Sequence, residues 1–379
     1  MKVLENVREK RIALADAAAI LKLSYRQTSR IWLRYRVEGD KGLVHRGQGR
    51  LPNNVIDREL RERIVRRYQE RYEGFGPTLA AEHLAEEGLE VDHNTLWRWL
   101  KEAGVWSRHR ARSPFRQRRE RKKHFGEMVQ LDGSPHCWFE DRGEGCCLMN
   151  LVDDATGTTL SYMAKEETTE AAMRVLWAWV KRYGIPAAIY CDQKSVYITD
   201  REPTLQEQLA GVEPMTAFGE ACRKLGIEII TAYSPQAKGR VERNHGVYQD
   251  RFVKEMRLRG VRSIAEANLM LEGGFFEGLN RRFAKQPASK ADYHVPADGT
   301  DLRAVFCWEV QRSVARDWVV QNDCRRFQIT REARPRPRPG SKVTVAQWLD
   351  GSIHLLVKGK QIPFEELPPV AGREEVLAS

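Results

Sequence analysis

SPQAKGRVERNHG, residues 234–246, is the stretch on which the reading of this chain turns. With the preceding tyrosine, YSPQAKG (233–239) carries Pro and Gly punctuation and predicts a loop. A long basic helix follows it, and Glu242 falls in that helix's first turn. Upstream the texture is that of a sheet. GEMVQLD (126–132), CCLMNLVDDATG (146–157) and TTLSYMAKE (158–166) predict three strands. A helix from Thr169 to Tyr183, with Ala172, Val175, Leu176 and Val180 inside, ends at Gly184-Ile185-Pro186. AAIYCD (187–192) is a short buried strand, and a helix near Ala217–Leu225 leads to the strand IEIITA (227–232). Three hairpin-like strands followed by helices alternating with strands give a mixed α/β sheet.

Three acids fall at its edges. Asp132 ends or interrupts the first strand, Asp192 ends the fourth, and Glu242 opens the long helix. Such acids can converge on one point at the rim of a sheet, where they repel unless cations neutralise them. Hard oxygen ligands suit Mg²⁺, with Mn²⁺ as a substitute. Two such ions would clamp the attacking and leaving oxygens of an in-line phosphoryl displacement. A lone Asp at a strand end is most often a turn residue, so the set gains meaning only from its context. Asp153-Asp154 rivals Asp132 as first ligand, but the following Ala-Thr-Gly makes a turn the better reading. His136 is near enough to matter and equally well a structural histidine; Cys146-Cys147 reads as buried strand packing.

Charge locates a second function. The chain of 379 residues carries a formal net charge of +11. Residues 1–130 hold 29 Lys/Arg against 18 Asp/Glu, whereas 131–379 hold 34 against 34. The whole excess lies in the first third, as in a nucleic-acid-binding arm joined to a separate body. Within that arm Leu14, Ala17, Ala18 and Leu21 mark one helix. Ser24 with Gln27 starts a second, which buries Ile31, Trp32 and Tyr35 and turns Arg26, Gln27, Arg30 and Arg34 outward. This is the pattern of a helix-turn-helix, whose second helix enters the major groove. An ordinary helical hairpin is the plainer alternative, and outward Arg and Gln weigh against it.

The connector HRGQGRLPNN (45–54) adds Arg46 and Arg50. Leu60, Ile64, Val65 and Tyr68 then make a stripe from Asp57 to Tyr72, broken by GFGP. A second helix carries Leu79 and Leu84. A third, capped by Asp92 and stopped by Gly104, buries Leu96 and Leu100 and leaves His93, Asn94, Trp97, Arg98 and Lys101 as DNA contacts. This second unit is weaker, since EEGLE before it is acidic. Residues 107–124 hold nine Lys/Arg and one Glu, among them Arg108, Arg110, Arg112, Arg118 and Arg119. Phosphate contact through counterion release is their natural use, compatible with service as a solvated linker.

The C-terminal third is helical and then irregular over 255–300. REARPRPRPG (331–340) alternates Arg and Pro and should be extended and unpacked. KVTVAQW and SIHLLVKG predict two strands around an Asp350-Gly351 hairpin turn, which fits a small SH3-like barrel, either a second contact surface or a plain cap. Other classes are excluded. No GxxxxGK[ST] or HExxH motif occurs. The seven cysteines include no CxxC, and no apolar run approaches a membrane span. With no secretory signal at the N-terminus, a cytoplasmic, reduced protein without membrane partners is expected.

The order Asp132, Asp192, then SPQAKGRVER with Glu242 resembles the DDE transposases of bacterial insertion sequences with an integrase-type core, most closely the ISNCY type. The resemblance covers nearly the whole chain, including VQLDGSPHCWFE, LVDDATG, AIYCDQKSVY, RRFAKQPASKADYH and DWVVQND (317–323). It implies a multidomain protein. A helix-turn-helix unit would fill 1–50 and a second helix-turn-helix or winged-helix-like domain 55–106, with a basic linker over 107–124. An α/β ribonuclease-H-like integrase core spans 125–300, and the C-terminal region with its small β barrel 301–379. It implies metal-dependent cleavage and strand transfer at transposon ends, with Asp132, Asp192 and Glu242 holding two Mg²⁺ ions. Lys238, Arg240 and Arg243 flank Glu242; Lys238 would reach a phosphate, and Gln236 would position the end or a water. The partners implied are terminal inverted repeats, target DNA and at least one further copy of the chain.

Two departures from the retroviral-type core stand out. ITDREPTLQEQLAG (198–211) reads as an inserted loop between Asp192 and Glu242. Gly246 and Gln249 stand where basic residues would follow Glu242, with Arg251 and Lys254 a turn later. The retroviral zinc-binding module is also replaced by helix-turn-helix units. Two rival functions remain: a sequence-specific DNA-binding regulator with an inactive core, and a nuclease acting on RNA–DNA hybrids, which has no need of the two N-terminal units.

Overall fold

The computed structural model describes residues 2–44, 56–107, 119–211, 213–232 and 239–368, and the chain divides into two units, Met1–Glu70 and Arg71–Ser379. In the first, α1 (Lys2–Arg8) was not marked by any periodicity. Helices α2 (Leu14–Leu21) and α3 (Tyr25–Glu38) follow in the expected order. Lys22 takes φ 52° in the turn between them, and Ser24 Oγ accepts the Gln27 N–H at 3.3 Å, which satisfies a donor with no partner inside the helix. α3 buries Thr28 and Tyr35, while Ile31 and Trp32 are only half-buried. A short 3₁₀ turn, Gly39–Leu43, folds back on α3; a Cβ at Gly42 would lie 2.5 Å from the Arg34 carbonyl oxygen, so only glycine fits. α4 (Arg58–Arg71) buries Ile64 and Tyr68.

The second unit begins with α5 (Pro77–Glu86), with Pro77 in its first turn, and α6 (His93–Glu102). Asp92 caps α6 through Oδ1, 2.9 Å from the Asn94 N–H and 3.3 Å from that of Thr95. Leu79, Leu84, Leu96 and Leu100 are buried as expected, and Trp99 joins them.

The sheet runs through β1 (Val129–His136), β2 (Cys146–Asp153) and β3 (Thr159–Ala164). After α7 (Thr169–Tyr183) come β4 (Ala188–Asp192), α8 (Leu205–Ala210), α9 (Ala217–Leu225) and β5 (Glu228–Ala232). Its order is β3-β2-β1-β4-β5, antiparallel over the first three strands and parallel from β1 through β4 to β5. Parallel neighbours need crossovers; α7 supplies one, and α8 with α9 the other. The segment 198–211, expected as loop, therefore contains a short helix. Every residue of β2 is buried, as in a strand covered on both faces. α7 contributes Ala172, Val175, Leu176, Trp179 and Val180 to the same core.

α10 (Gly239–Leu258) crosses this sheet with Val241, His245, Tyr248, Phe252 and Met256 buried along one stripe. α11 (Ile264–Met270) and α12 (Phe276–Phe283) are joined by a turn in which Gly274 takes φ 111°. They cover the free edge of β3. Asn268 exchanges hydrogen bonds with the Met163 N–H and C=O at 2.7 and 2.9 Å, and Asn280 does so with Thr159 at 2.7 and 2.8 Å. Two side-chain amides thus stand in for a missing strand.

α13 (Leu302–Val305) leads into β6 (Cys307–Ser313), β7 (Val319–Asn322), β8 (Arg325–Ile329), β9 (Lys342–Trp348), β10 (Ile353–Val357), β11 (Lys360–Ile362) and β12 (Phe364–Leu367). These make two open sheets, β11-β10-β9-β6 and β12-β8-β7, rather than a closed barrel. They share one core, including Val320, Phe327, Val343 and Leu355. The β9–β10 turn has three residues, not two. The Trp348 N–H reaches Ser352 O at 2.9 Å around Leu349, Asp350 and Gly351, the last with φ 83°. The Arg-Pro segment is packed in part: Ala333 is fully buried, and Trp318 Nε1 donates to Pro337 O at 3.1 Å.

Candidate active site

The β1–β4 register points Asp132 and Asp192 toward the same level of the sheet, two residues beyond the last β1–β4 pair. β1 runs parallel to β4 with Gln130 opposite Tyr190, so two residues on, Asp132 stands level with Asp192. Asp192 is the last residue of β4, as expected. Asp132 is not at a strand end: β1 continues to His136 against β2, with Asp132 opposite Asn150. What ends near Asp132 is the pairing with β4, so the aspartate sits where two strands part and leave room between them.

That gap holds two residues that the sequence did not announce. Lys194, two positions beyond Asp192, has its Nζ 2.7 Å from Glu167 Oε2 and 3.7 Å from Asp132 Oδ1. Glu167 lies in the loop before α7, and its Oε1 accepts the hydroxyl of buried Tyr197 at 2.8 Å. A Cβ on Gly133 would lie 2.6 Å from Glu167 Oε2, so a glycine beside Asp132 is what admits this carboxylate. Burial opposes the charge on Lys194, but the Glu167 hydrogen bond and the charges of Glu167, Asp132 and Asp192 outweigh it and raise the pKa. The only sequence signal was a Lys following an expected ligand in CDQKSVY, and an acid just before the Thr168 cap.

α10 runs over the same part of β1. Gln130, Asp132 and Ser134 alternate onto one face of the strand. The Val241 N–H donates to Gln130 Oε1 at 3.2 Å, and Gln249 Nε2 donates to Ser134 Oγ at 3.1 Å. The helix is therefore bonded to β1 on both sides of Asp132. Glu242 is exposed, in the first turn, on the helix face it shares with Gly246 and Gln249. Asn244 Oδ1 accepts from Asn150 Nδ2 at 2.6 Å and from Thr159 Oγ1 at 3.1 Å, which fixes this turn over β2 and β3.

The donors have the chemistry of a Mg²⁺ or Mn²⁺ site, being carboxylate oxygens at the mouth of a sheet. They are not drawn together as one. Among the described residues no three His, Cys, Asp or Glu side chains stand close enough to hold a metal ion. A lysine ammonium instead lies against Asp132 and Glu167.

The other expected site residues fall into three groups. Arg26, Gln27, Arg30, Asn94, Arg98, Lys101 and Arg243 are exposed, and Arg34 is half-buried. Lys101 lies over the Trp97 ring at 5.4 Å, and Arg98 Nη2 donates to Thr95 Oγ1 at 3.3 Å. Arg46, Arg50, Arg108, Arg110, Arg112, Arg118, Gln236 and Lys238 lie outside the described residues. Arg119 and Arg240 both pair with Asp154, and Arg240 is largely shielded from solvent. Of the residues beyond Glu242, Arg251 pairs with Glu82 and Lys254 with Asp250.

The acid pair Asp153-Asp154 serves the fold. Asp153 Oδ1 accepts from the Thr156 N–H and Oγ1, both at 2.7 Å, closing the turn expected there. Burial pushes its carboxyl pKa up. His136 is exposed at the end of β1, and Cys146 and Cys147 are buried in β2.

No protein-family profile matches the chain. It is 37% identical over 368 residues to the putative transposase y4bF of Sinorhizobium fredii, covering 96% of this chain and 79% of that protein. To the transposase for insertion sequence IS1202 of Streptococcus pneumoniae it is 30% identical over 307 residues. That match covers 71% of this chain and 64% of the relative, just under two thirds of its length. Among solved structures, the HTLV-2 integrase catalytic core domain in complex with magnesium aligns at 18% identity, over 40% of this chain and 86% of that one, with a TM-score of 0.30.

Proposed function

This chain belongs to the transposases of bacterial insertion sequences, and from that premise we propose that it binds the terminal repeats of its element and catalyses metal-dependent cleavage and strand transfer of DNA. The observation that carries the proposal is the level placement of Asp132 and Asp192 on adjacent parallel strands, under a helix bonded to β1 on either side of Asp132. With Glu242 they are the ribonuclease-H-like triad that would hold two Mg²⁺ ions, or Mn²⁺ in substitution. Bound there, such ions would supply the Lewis-acid charge that phosphoryl transfer needs. Arg26, Gln27 and Arg30 of α3, and Asn94, Arg98 and Lys101 of α6, would meet DNA as two helix-turn-helix units. Arg243, Lys238 and the basic segment from Arg108 would meet phosphates. Two or more copies would act together on two ends, in the cytoplasm where the element's DNA lies. No helix among the described residues is long and apolar enough to cross a membrane.

The test is the purified protein with Mg²⁺ and duplexes bearing candidate ends. Cleavage or joining is expected from the natural chain and should be lost in Asp132→Asn, with end binding retained. Strand chemistry that survives this substitution overturns the assigned triad. Lys194 on Asp132 favours one second reading, a DNA-binding regulator with an inactive core. Sequence-specific binding without strand chemistry in either metal would establish it.

A further inference from the structure

Gln130 is fully buried on β1, two residues before Asp132, with both ends of its amide engaged. Oε1 accepts the Val241 N–H at 3.2 Å, and Nε2 donates to Asp154 Oδ1 at 2.8 Å. The first N–H groups of a helix have no partner inside it. That of Val241, next to Glu242, is therefore bonded directly to the strand that carries Asp132. Asp154, also fully buried, is the hub. Its carboxylate accepts from Arg240 Nη1 at 2.7 Å, from the Lys122 N–H at 2.8 Å, and from Arg119. Arg240 also donates to Arg119 O at 2.9 Å, and Arg121 to Ala155 O at 2.9 Å. One carboxylate thus joins the last residues of the basic segment, the floor of β1 and the first turn of α10.

We propose that Gln130 and Asp154 are positioning residues for Glu242, and that they tie the start of its helix to the end of the basic segment. The proposal rests on the role given to Glu242 above. A buried carboxylate and amide are costly unless every bond is made, and apolar side chains of similar volume would glue the helix down at least as well. What the polar set adds is direction: each bond fixes one atom of α10 against one atom of β1 or of the β2–β3 turn.

The experiment uses the full chain and two variants, Gln130→Met, which keeps the volume and removes both bonds, and Asp154→Asn. Hydrogen–deuterium exchange is read over residues 240–245 and over α7, alongside end-binding affinity and single-turnover cleavage in Mn²⁺. Gln130→Met should speed exchange in 240–245 about tenfold, the loss of one hydrogen bond, with α7 unchanged. End affinity should stay within about twofold while the cleavage rate falls about 100-fold, as for a displaced catalytic group. Asp154→Asn should speed exchange in the same segment and also around Lys122. Unchanged exchange in 240–245, or acceleration spread evenly through the core, overturns the proposal. If the natural chain cleaves nothing, the functional reading fails, and the exchange data still decide whether these residues hold the helix.

Discussion

Lys194 and Glu167 form an ion pair, Nζ to Oε2 at 2.7 Å, inside the gap where Asp132 and Asp192 stand level. The Lys194 ammonium offsets the negative charge of Glu167, Asp132 and Asp192, which lie on the loop before α7, on β1 and on β4. If Asp132 holds a divalent ion as proposed, Lys194 would have to leave it first and would compete with the metal for that carboxylate.

Replacing Lys194 with Met should therefore tighten Mn²⁺ binding and lower the melting temperature in EDTA. About tenfold in affinity is expected. A full-strength pair at 4 Å is worth about 4 kcal/mol at an effective dielectric constant of 20, and screening at a side chain 41% exposed removes much of that. Titration calorimetry on the natural and variant chains decides it. Equal affinities, or weaker binding by the variant, would mean that Lys194 is no competitor.

α5 is held to the far half of α10 by a contact that depends on pH. His83 Nε2 lies 2.7 Å from Glu255 Oε1, and Nδ1 lies 3.2 Å from Glu86 Oε2; Arg259 also faces Glu255, at 3.6 Å. The hydrogen bond to Glu255 raises the histidine's pKa, burial opposes it, and the charges of Glu255 and Glu86 add to the rise. A raised pKa stabilises the folded chain fully below the ordinary histidine value and loses that contribution as pH climbs through the raised one. His83→Gln should therefore cost about 1–2 kcal/mol near pH 6 and progressively less in alkaline buffer. Thermal melts of both chains across that range supply the check. A difference that grows with pH would reverse the sign and refute the assignment.

Glu82 carries the same junction through charge-assisted hydrogen bonds. Arg251 donates to it twice, at 2.7 and 2.9 Å, and Arg282 is also on it. The Arg251 side chain is only 10% exposed. Glu82→Gln removes the bidentate counter-charge of a largely buried guanidinium, leaving the more distant charges of Asp250 and Glu255, which should cost about 3 kcal/mol in urea denaturation. Glu82→Met with Arg251→Met should recover part of that loss, because no buried charge is then stranded; Arg282, 45% exposed, is left to solvent. A double variant no better than the single would point to lost packing instead.

What could be read beforehand divides by sequence distance. α7 was legible at both ends, because its stripe and its Gly184 stop are local. Asp192 at the end of β4 and Glu242 in the first turn of α10 were legible from their local strand and helix signals, while grouping them with Asp132 came from the family resemblance. The true setting of Asp132 was not, since it depends on how far β1 pairs with β4 before it leaves for β2. Glu167 and Lys194 meet across 27 residues through a gap that only the folded sheet creates. In the C-terminal sheets β9 and β10 were legible as KVTVAQW and SIHLLVKG, whereas β6 was not: it shows no alternation, with most of its residues exposed, so periodicity had nothing to register.

Arg30 and Arg240 were both expected to meet DNA, and the structure gives them opposite prospects. Arg30 is exposed on α3 with Arg26 and Gln27, free to exchange counterions for phosphates. The Arg240 guanidinium is 14% exposed and already bonded to Asp154 and to Arg119 O. Replacing a phosphate-neutralising arginine should reduce the slope of log K against log salt by about 1. Arg30→Ala should do so, or, if Arg30 reads a base edge, should cost about 1–3 kcal/mol of discrimination between end and scrambled duplex. Arg240→Met should leave slope and discrimination unchanged and instead destabilise the first turn of α10. Binding isotherms at several salt concentrations separate these outcomes. An Arg240→Met slope reduced as far as that of Arg30→Ala would show that Arg240 leaves Asp154 for DNA.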